Sequence, residues 1–156
     1  MSFRISGLDP APFTHLYELS DRALRARGVT RYVVDAMPGY PDRIGVCDVA
    51  LGERVLLLNY VHQPADSAYR ASHAIYVREG ATKAYVGVAQ IPSALAIRAI
   101  SLRAFDRAGA MVDAELIDGT DSAAAIERLF AAPMVAYLHA HYAKRGCYAA
   151  RIDRVG

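Results

Sequence analysis

The C-terminal segment, residues 137–153, holds the densest group of side chains that could do chemistry. His139 and His141 occupy alternate positions, and Cys147 follows a few residues later. Side chains two apart on a β-strand share a face, at about 6.6 Å between Cα atoms. Imidazole is a common zinc ligand, and a thiolate beside a histidine can act as a nucleophile. These three residues are therefore the first candidates for a catalytic site.

The turn inside this segment predicts its pairing. Lys144-Arg145-Gly146 ends in glycine, which suits a type I turn followed by a left-handed residue. The resulting β-hairpin would pair His139 with Arg151, His141 with Ala149 and Ala143 with Cys147. One face would then carry Tyr137, His139, His141, Cys147, Ala149, Arg151 and Asp153. The other face, which includes Tyr142 and Tyr148, would be apolar.

Two interpretations of the histidine pair are open. His62, or Asp66 in the loop after it, could complete a divalent metal site with His139 and His141. We favour a hydrogen-bonded network on the surface instead, because a His-x-His pair alone is a weak signal. A divalent metal is thus an open but not favoured cofactor. For Cys147, a partly buried inert thiol is favoured over a Cys–His nucleophile oriented by Asp113.

A polar loop at residues 63–72 is the second candidate region. Its Tyr69 and Arg70 suit an anionic small ligand, since an arginine offers a two-pronged donor to such groups. The alternative is a structural loop whose polar side chains satisfy its own backbone. A second hairpin, turning at residues 107–109, would place Arg103 opposite Asp113, either as an ion pair or beside a polar site. The predicted ligand-binding residues are Tyr69, Arg70, Arg103 and Arg151.

The elements that must position these residues are mostly strands. β-Branched and aromatic residues predict strands at residues 30–35, 54–62, 73–78, 100–106 and 111–117, a weaker one at 43–47, and the terminal hairpin. Short helices are predicted near residues 13–19, after Ser20, after Pro92 and from Thr120 or Asp121 to Ala131. The fold class is therefore α+β, with a mainly antiparallel or mixed sheet of about six strands and a few short helices on one side.

Length and composition exclude several classes of protein. The 156 residues fit a single globular domain, residues 1–156. A net charge of +2 gives no electrostatic support for a nucleic-acid or membrane partner. The N-terminus lacks the pattern of a signal peptide. Cys47 and Cys147 fit a reducing cytoplasm better than a disulfide, so a cytoplasmic location is expected.

Several short motifs resemble an uncharacterised bacterial family, domain of unknown function 1203, and the likeness covers essentially the whole chain. These motifs are Gly39-Tyr-Pro41, Leu56-Leu-Leu-Asn-Tyr60 with Gln63, Tyr69-Arg-Ala-Ser72, Val77-Arg-Glu79, Met111-Val-Asp-Ala-Glu115 and Arg145-Gly-Cys-Tyr-Ala-Ala-Arg151. The resemblance implies a single bacterial cytoplasmic domain. It implies no activity, cofactor or catalytic residue.

The function predicted from the sequence is binding of an anionic small molecule between the C-terminal hairpin and the 63–72 loop. Whether a reaction follows is left open. The alternative is a non-catalytic interaction protein, in one form a homodimer. The apolar run Val55-Leu-Leu-Leu58 and the 10 tyrosines motivate that alternative, because such residues suit interfaces.

Overall fold

The computed structural model describes residues 2–156 and contains two β-sheets. The strands are β1 (Ser2–Ser6), β2 (Thr30–Val33), β3 (Pro41–Asp42), β4 (Cys47–Asp48), β5 (Arg54–Gln63), β6 (Ala71–Arg78), β7 (Val86–Val88), β8 (Ala99–Phe105), β9 (Met111–Asp118), β10 (Tyr137–Tyr142) and β11 (Tyr148–Val155). The first sheet has six strands in the order β7-β1-β11-β10-β8-β9, and the second has five in the order β2-β5-β6-β3-β4.

The helices are short, and of the three α-helices within residues 2–156 only the first has a side-chain N-cap. They are α1 (Asp21–Arg25), α2 (Ser93–Ala96) and α3 (Ser122–Phe130), with 3₁₀ turns at Thr14–Leu16 and Gly119–Asp121. The Ser20 hydroxyl accepts a 3.1 Å hydrogen bond from the Ala23 amide, which confirms the predicted cap of α1. After α1 the chain turns at Gly28, whose φ of 71° is a left-handed conformation that favours glycine.

The α+β class and the mainly antiparallel pairing are confirmed. Among the strands of residues 2–156, only β3 and β6 pair in parallel, through Asp42 and Tyr76. The strands divide between two sheets, each close to the predicted size. The weak strand expected at residues 43–47 is wrong: residues 43–46 form a turn between β3 and β4. The edge strand β7 and its neighbour β1 have no counterpart in the prediction.

The two sheets have separate apolar clusters. On one face of the six-stranded sheet, Leu102, Leu138 and Ile152 pack with Ile126 and Phe130 of α3. On the five-stranded sheet, the N-terminal helical segments cover a second cluster whose members include Leu24, Leu56, Leu58, Ile75 and Val77. Val55, Leu56 and Leu58 of β5 are therefore buried rather than displayed.

A β-bulge corrects the register of the C-terminal hairpin. His139 pairs with Arg151 as predicted, but His141 pairs with Tyr148, and Ala149 is the extra residue. The loop is also one residue longer than predicted, because the Tyr142 amide bonds the Cys147 carbonyl at 2.9 Å. Cys147 and Ala149 consequently join the apolar cluster beside α3, and the prediction that they share the histidine face is wrong.

A bulge also displaces the second hairpin. Phe105 pairs with Met111 as the turn predicts, and Gly109 has the expected positive φ of 80°. The register then shifts, so that Arg103 lies opposite Ala114 rather than Asp113. The predicted Arg103–Asp113 cross-strand pair is therefore wrong.

Candidate metal centre between the two sheets

Three histidines meet where the two sheets face each other. His62 lies near the end of β5, and His139 and His141 lie on β10. The ring centroid of His62 is 6.2 Å from that of His139 and 4.9 Å from that of His141. One nitrogen from each ring can be chosen so that all three nitrogens lie within 4.8 Å of one another. The structure thus brings together the three residues that the sequence named as a metal set.

All three rings are removed from solvent. His62 is 9% exposed, His139 3% and His141 0%. Within residues 2–156, His62 Nδ1, His139 Nδ1 and His141 Nε2 are buried and have no hydrogen-bond partner. The favoured interpretation, a hydrogen-bonded pair on the surface, is therefore wrong. Buried polar atoms are rarely left unpaired, because each loses its interaction with water.

The hairpin loop orients one of the rings. His141 Nδ1 lies 3.0 Å from the carbonyl oxygen of Gly146, and a carbonyl can only accept. Nδ1 therefore carries the proton, and Nε2 keeps its lone pair. A metal-binding histidine typically has this arrangement, with one nitrogen donating to a carbonyl and the other free for the ion.

Burial keeps the three imidazoles uncharged. It lowers the pKa of His62 to about 4, with Arg103 and His73 acting in the same direction. It lowers the pKa of His139 to about 3, assisted by the other two histidines. The pKa of His141 falls to about 3 for the same reason, although the bond to Gly146 opposes the shift. Metal ions bind the neutral form of histidine.

Aromatic rings enclose the histidines. Tyr148 stacks on His62 with an interplanar angle of 9° and a centroid distance of 5.6 Å. The same ring meets His139 and His141 edge-on, at 5.1 and 5.8 Å. Phe105 contacts His139 from the other side, at 4.9 Å. These rings fix the imidazole planes and limit access of water.

Two arginines flank His139 on the neighbouring strands. Arg103 pairs with His139 on β8, and Arg151 pairs with it on β11. Arg151 bonds the Asp153 carboxylate and lies over the Tyr137 ring, 4.1 Å from its centre. Arg103 has no carboxylate partner within residues 2–156; its Nε makes only a 3.4 Å contact with the Ser101 hydroxyl. Burial lowers the pKa of Arg103, so its charge is poorly compensated.

The remaining predicted site residues lie elsewhere. Cys147 is a buried free thiol, as the inert-thiol interpretation expected, and it lies on the opposite face of the hairpin from the histidines. Tyr69 and Arg70 are exposed. Arg70 donates to the Pro64 carbonyl and the Tyr69 amide donates to the Ser67 hydroxyl, so the loop satisfies its own backbone.

The sequence pattern missed Tyr148 and Phe105. The bulge at Ala149 moves Tyr148 onto the histidine face, and no residue in the turn signals that bulge. Phe105 is part of a predicted strand, but its position beside His139 depends on the pairing of β8 with β10. The position of Phe105 beside His139 could be predicted only from the order of the strands in the sheet, which the local alternation of residues does not give.

Three neutral imidazoles around one point can coordinate a divalent transition metal. Ligand nitrogens around a tetrahedral zinc ion lie about 3.3 Å apart, given zinc–nitrogen bonds of ~2.0–2.1 Å. The three nitrogens, which lie within 4.8 Å of one another, would have to approach by up to roughly 1.5 Å to reach that spacing. Three protein ligands leave a fourth position open, which is the arrangement of a catalytic rather than a structural site.

The fold and this site define an α+β protein with two mainly antiparallel sheets and a buried three-histidine cluster between them. The chain belongs to the DUF1203 family of proteins of unknown function, whose sequence profile matches residues 39–154. The matched region includes all three histidines and Arg103. No curated protein and no solved structure is significantly similar to the chain. No helix within residues 2–156 is long and apolar enough to cross a membrane.

Proposed function

We propose that this protein binds a divalent transition metal such as Zn²⁺ through His62, His139 and His141, and that the metal holds a small anionic molecule. The observation that carries this proposal is the convergence of three buried, neutral imidazoles. Each of them has a buried nitrogen without a hydrogen-bond partner within residues 2–156. A bound cation would compensate the unmet hydrogen-bonding capacity of all three rings at once.

The environment of Arg103 supports the proposal that the ligand is anionic. This arginine is half-buried, it lacks a carboxylate partner within residues 2–156, and it lies directly across from His139. A guanidinium in this state gains most from an anion that bridges it to the metal. Arg151 is the weaker candidate, because Asp153 already neutralises it.

An open coordination position would allow a bound metal to activate a ligand or water. A zinc ion held by three histidines polarises a bound oxygen and lowers the pKa of bound water to about 7. The protein's own residues would supply the enclosure, through Tyr148 and Phe105, and the positive charge of Arg103. The alternative, an interaction protein, rested partly on an exposed apolar run in β5. Val55, Leu56 and Leu58 of that run are buried, so they cannot form an interface.

The test is a calorimetric titration of metal-free protein with Zn²⁺. We expect one ion per chain for the wild type and an affinity at least about a hundredfold weaker for His139→Ala, since one of three ligands is lost. His73→Ala is the matched control: this histidine is half-buried, on the neighbouring strand β6, and is not part of the cluster. No binding by the wild type, or an equal loss in the control, would refute the metal site.

The anion is tested on the Co²⁺-loaded protein, whose visible spectrum reports the fourth ligand. Titration with formate should change the spectrum of the wild type, and Arg103→Ala should weaken that response about tenfold or more. Arg151→Ala should weaken it less. If both variants respond as the wild type does, Arg103 does not bind the anion, and the metal site stands without it.

A further inference from the structure

A cavity lies at the turn of the C-terminal hairpin, on the face opposite the histidines. Its volume is about 650 Å³, within the range of small-molecule sites. Four parts of the chain build its walls: the loop at residues 35–41, Tyr76 of β6, residues 97–99 and the hairpin turn at residues 142–147. His62, His139 and His141 do not line it. The cavity is therefore a separate place from the candidate metal centre.

Positive charge dominates the lining. Arg43, Arg98, Lys144 and Arg145 contribute cations, and Asp35 is the acidic lining residue. Asp35 accepts a 2.8 Å hydrogen bond from the Tyr40 hydroxyl. Arg98 is neutralised by Asp48 just outside the lining, with N–O distances of 2.6 and 2.8 Å. The exposed Lys144 and Arg145 have no ion pair within residues 2–156, so their charges are available at the rim.

A buried arginine adds to this potential. Arg43 is only 2% exposed, yet its guanidinium donates to two backbone carbonyls, those of Tyr148 and Pro41, rather than to a carboxylate. Carbonyl dipoles satisfy its donors but do not cancel its charge. A low-dielectric wall with a fixed positive charge behind it attracts an anion more strongly than an exposed cation does.

Aromatic rings form the rest of the wall. The rings of Tyr40 and Tyr76 lie 5.2 Å apart with an angle of 54° between their planes. Tyr142 faces the guanidinium groups of Arg43 and Arg98, at 4.9 and 5.1 Å from its ring centre. The cavity thus pairs flat apolar surface with a cationic rim, and this combination matches a ligand that has one charged end and one flat apolar end.

We infer that this cavity binds a small anionic molecule with an aromatic or similarly flat group. Its phosphate or carboxylate lies against Lys144 and Arg145 at the rim, and its flat group packs against Tyr40 and Tyr76. This site lies apart from the proposed metal centre and requires no metal ion. Phenyl phosphate, inorganic phosphate and benzyl alcohol are the probes that separate the charged end from the flat end.

The chain offers an unusually clean experiment, because Lys83 and Lys144 are its only lysines. Both are exposed, and only Lys144 lines the cavity. Phenyl phosphate should slow acetylation of Lys144 and leave that of Lys83 unchanged, as measured by mass spectrometry of peptides. The concentration that gives half protection should be lower for phenyl phosphate than for inorganic phosphate, and benzyl alcohol alone should protect weakly.

Two variants complete the test. Calorimetry should show phenyl phosphate binding about fivefold more weakly to Lys144→Ala, and about tenfold more weakly when Arg145→Ala is added, because rim charges contribute modestly. Lys83→Ala should bind as the wild type does, because Lys83 lies outside the cavity. Equal protection of both lysines, no saturable binding, or an equal loss in Lys83→Ala would overturn the inference.

Discussion

His141 Nδ1 donates a 3.0 Å hydrogen bond to the Gly146 carbonyl, and this bond fixes the tautomer of the ring. The hairpin turn therefore decides which nitrogen of His141 keeps its lone pair. In the metal-free protein we expect ¹⁵N NMR to show protonated Nδ1 and unprotonated Nε2 for this residue. Added Zn²⁺ should then shift the Nε2 resonance most. A protonated Nε2 in the metal-free protein would contradict the assignment.

Metal binding should raise thermal stability, because the three histidines are brought together only in the folded chain and the ion therefore binds that state preferentially. With free Zn²⁺ at a hundred times its Kd, the gain in free energy is about 2.7 kcal/mol. For a chain of this size that corresponds to a rise in Tm of about 5–10 °C. Differential scanning calorimetry should show this rise for the wild type and for His73→Ala. His62→Ala should show little of it.

Acid should destabilise the metal-free protein through the same three rings. Their folded pKa values, about 4 for His62 and about 3 for His139 and His141, lie below the ordinary value of 6.5. Between those limits the unfolded chain binds protons that the folded chain does not, so stability is retained above pH 6.5 and lost as the pH falls towards 3. Each unit of depression accounts for about 1.4 kcal/mol.

Urea denaturation at several pH values measures this loss. The slope of unfolding free energy against pH gives the difference in bound protons. His139→Ala should reduce that slope by about one proton between pH 4 and 6. A wild-type slope near zero in this interval would mean that the buried rings do not resist protonation.

How much of this site could be read from the chain depends on which contacts are local. The facing pair His139–Arg151 follows from alternation and the turn glycine, and the structure confirms it. The approach of His62 comes from a different sheet, so no local pattern could establish it, although His62 was named as an option. The bulge at Ala149 follows from the fit of β11 against its neighbours, which local residue types do not encode.

Tyr148 should be a packing residue whose ring matters more than its hydroxyl. It is 4% exposed and contacts all three histidines. Tyr148→Ala should lower the free energy of unfolding by about 3–5 kcal/mol, since it opens a cavity beside the rings. Tyr148→Phe keeps the ring, so Zn²⁺ affinity should stay within about threefold of the wild type. A large loss of affinity in Tyr148→Phe would give the hydroxyl a role that packing does not explain.

The Arg31–Glu79 ion pair should be a stabilising contact outside the site. The guanidinium of Arg31 lies 2.8 Å from the Glu79 carboxylate, and the two side chains are 11% and 6% exposed. Arg31 also pairs with the exposed Asp21 at 2.6 Å. Glu79→Ala therefore removes the more buried of two carboxylate partners and should cost about 2 kcal/mol in urea denaturation. Glu53→Ala is the matched control: its 4.0 Å pair with Arg78 is exposed, so its loss should stay within about 0.5 kcal/mol. Equal costs would mean that burial does not set the strength of these pairs.

The hairpin turn at residues 143–146 contacts both the histidine cluster and the cavity on the opposite face. Its Gly146 carbonyl holds His141, while its Lys144 and Arg145 side chains border the cavity on the other face. The two places therefore share one piece of backbone. Thermodynamic linkage makes any resulting coupling reciprocal: if occupancy of the cavity changes metal affinity by some factor, the metal changes the cavity's affinity by the same factor.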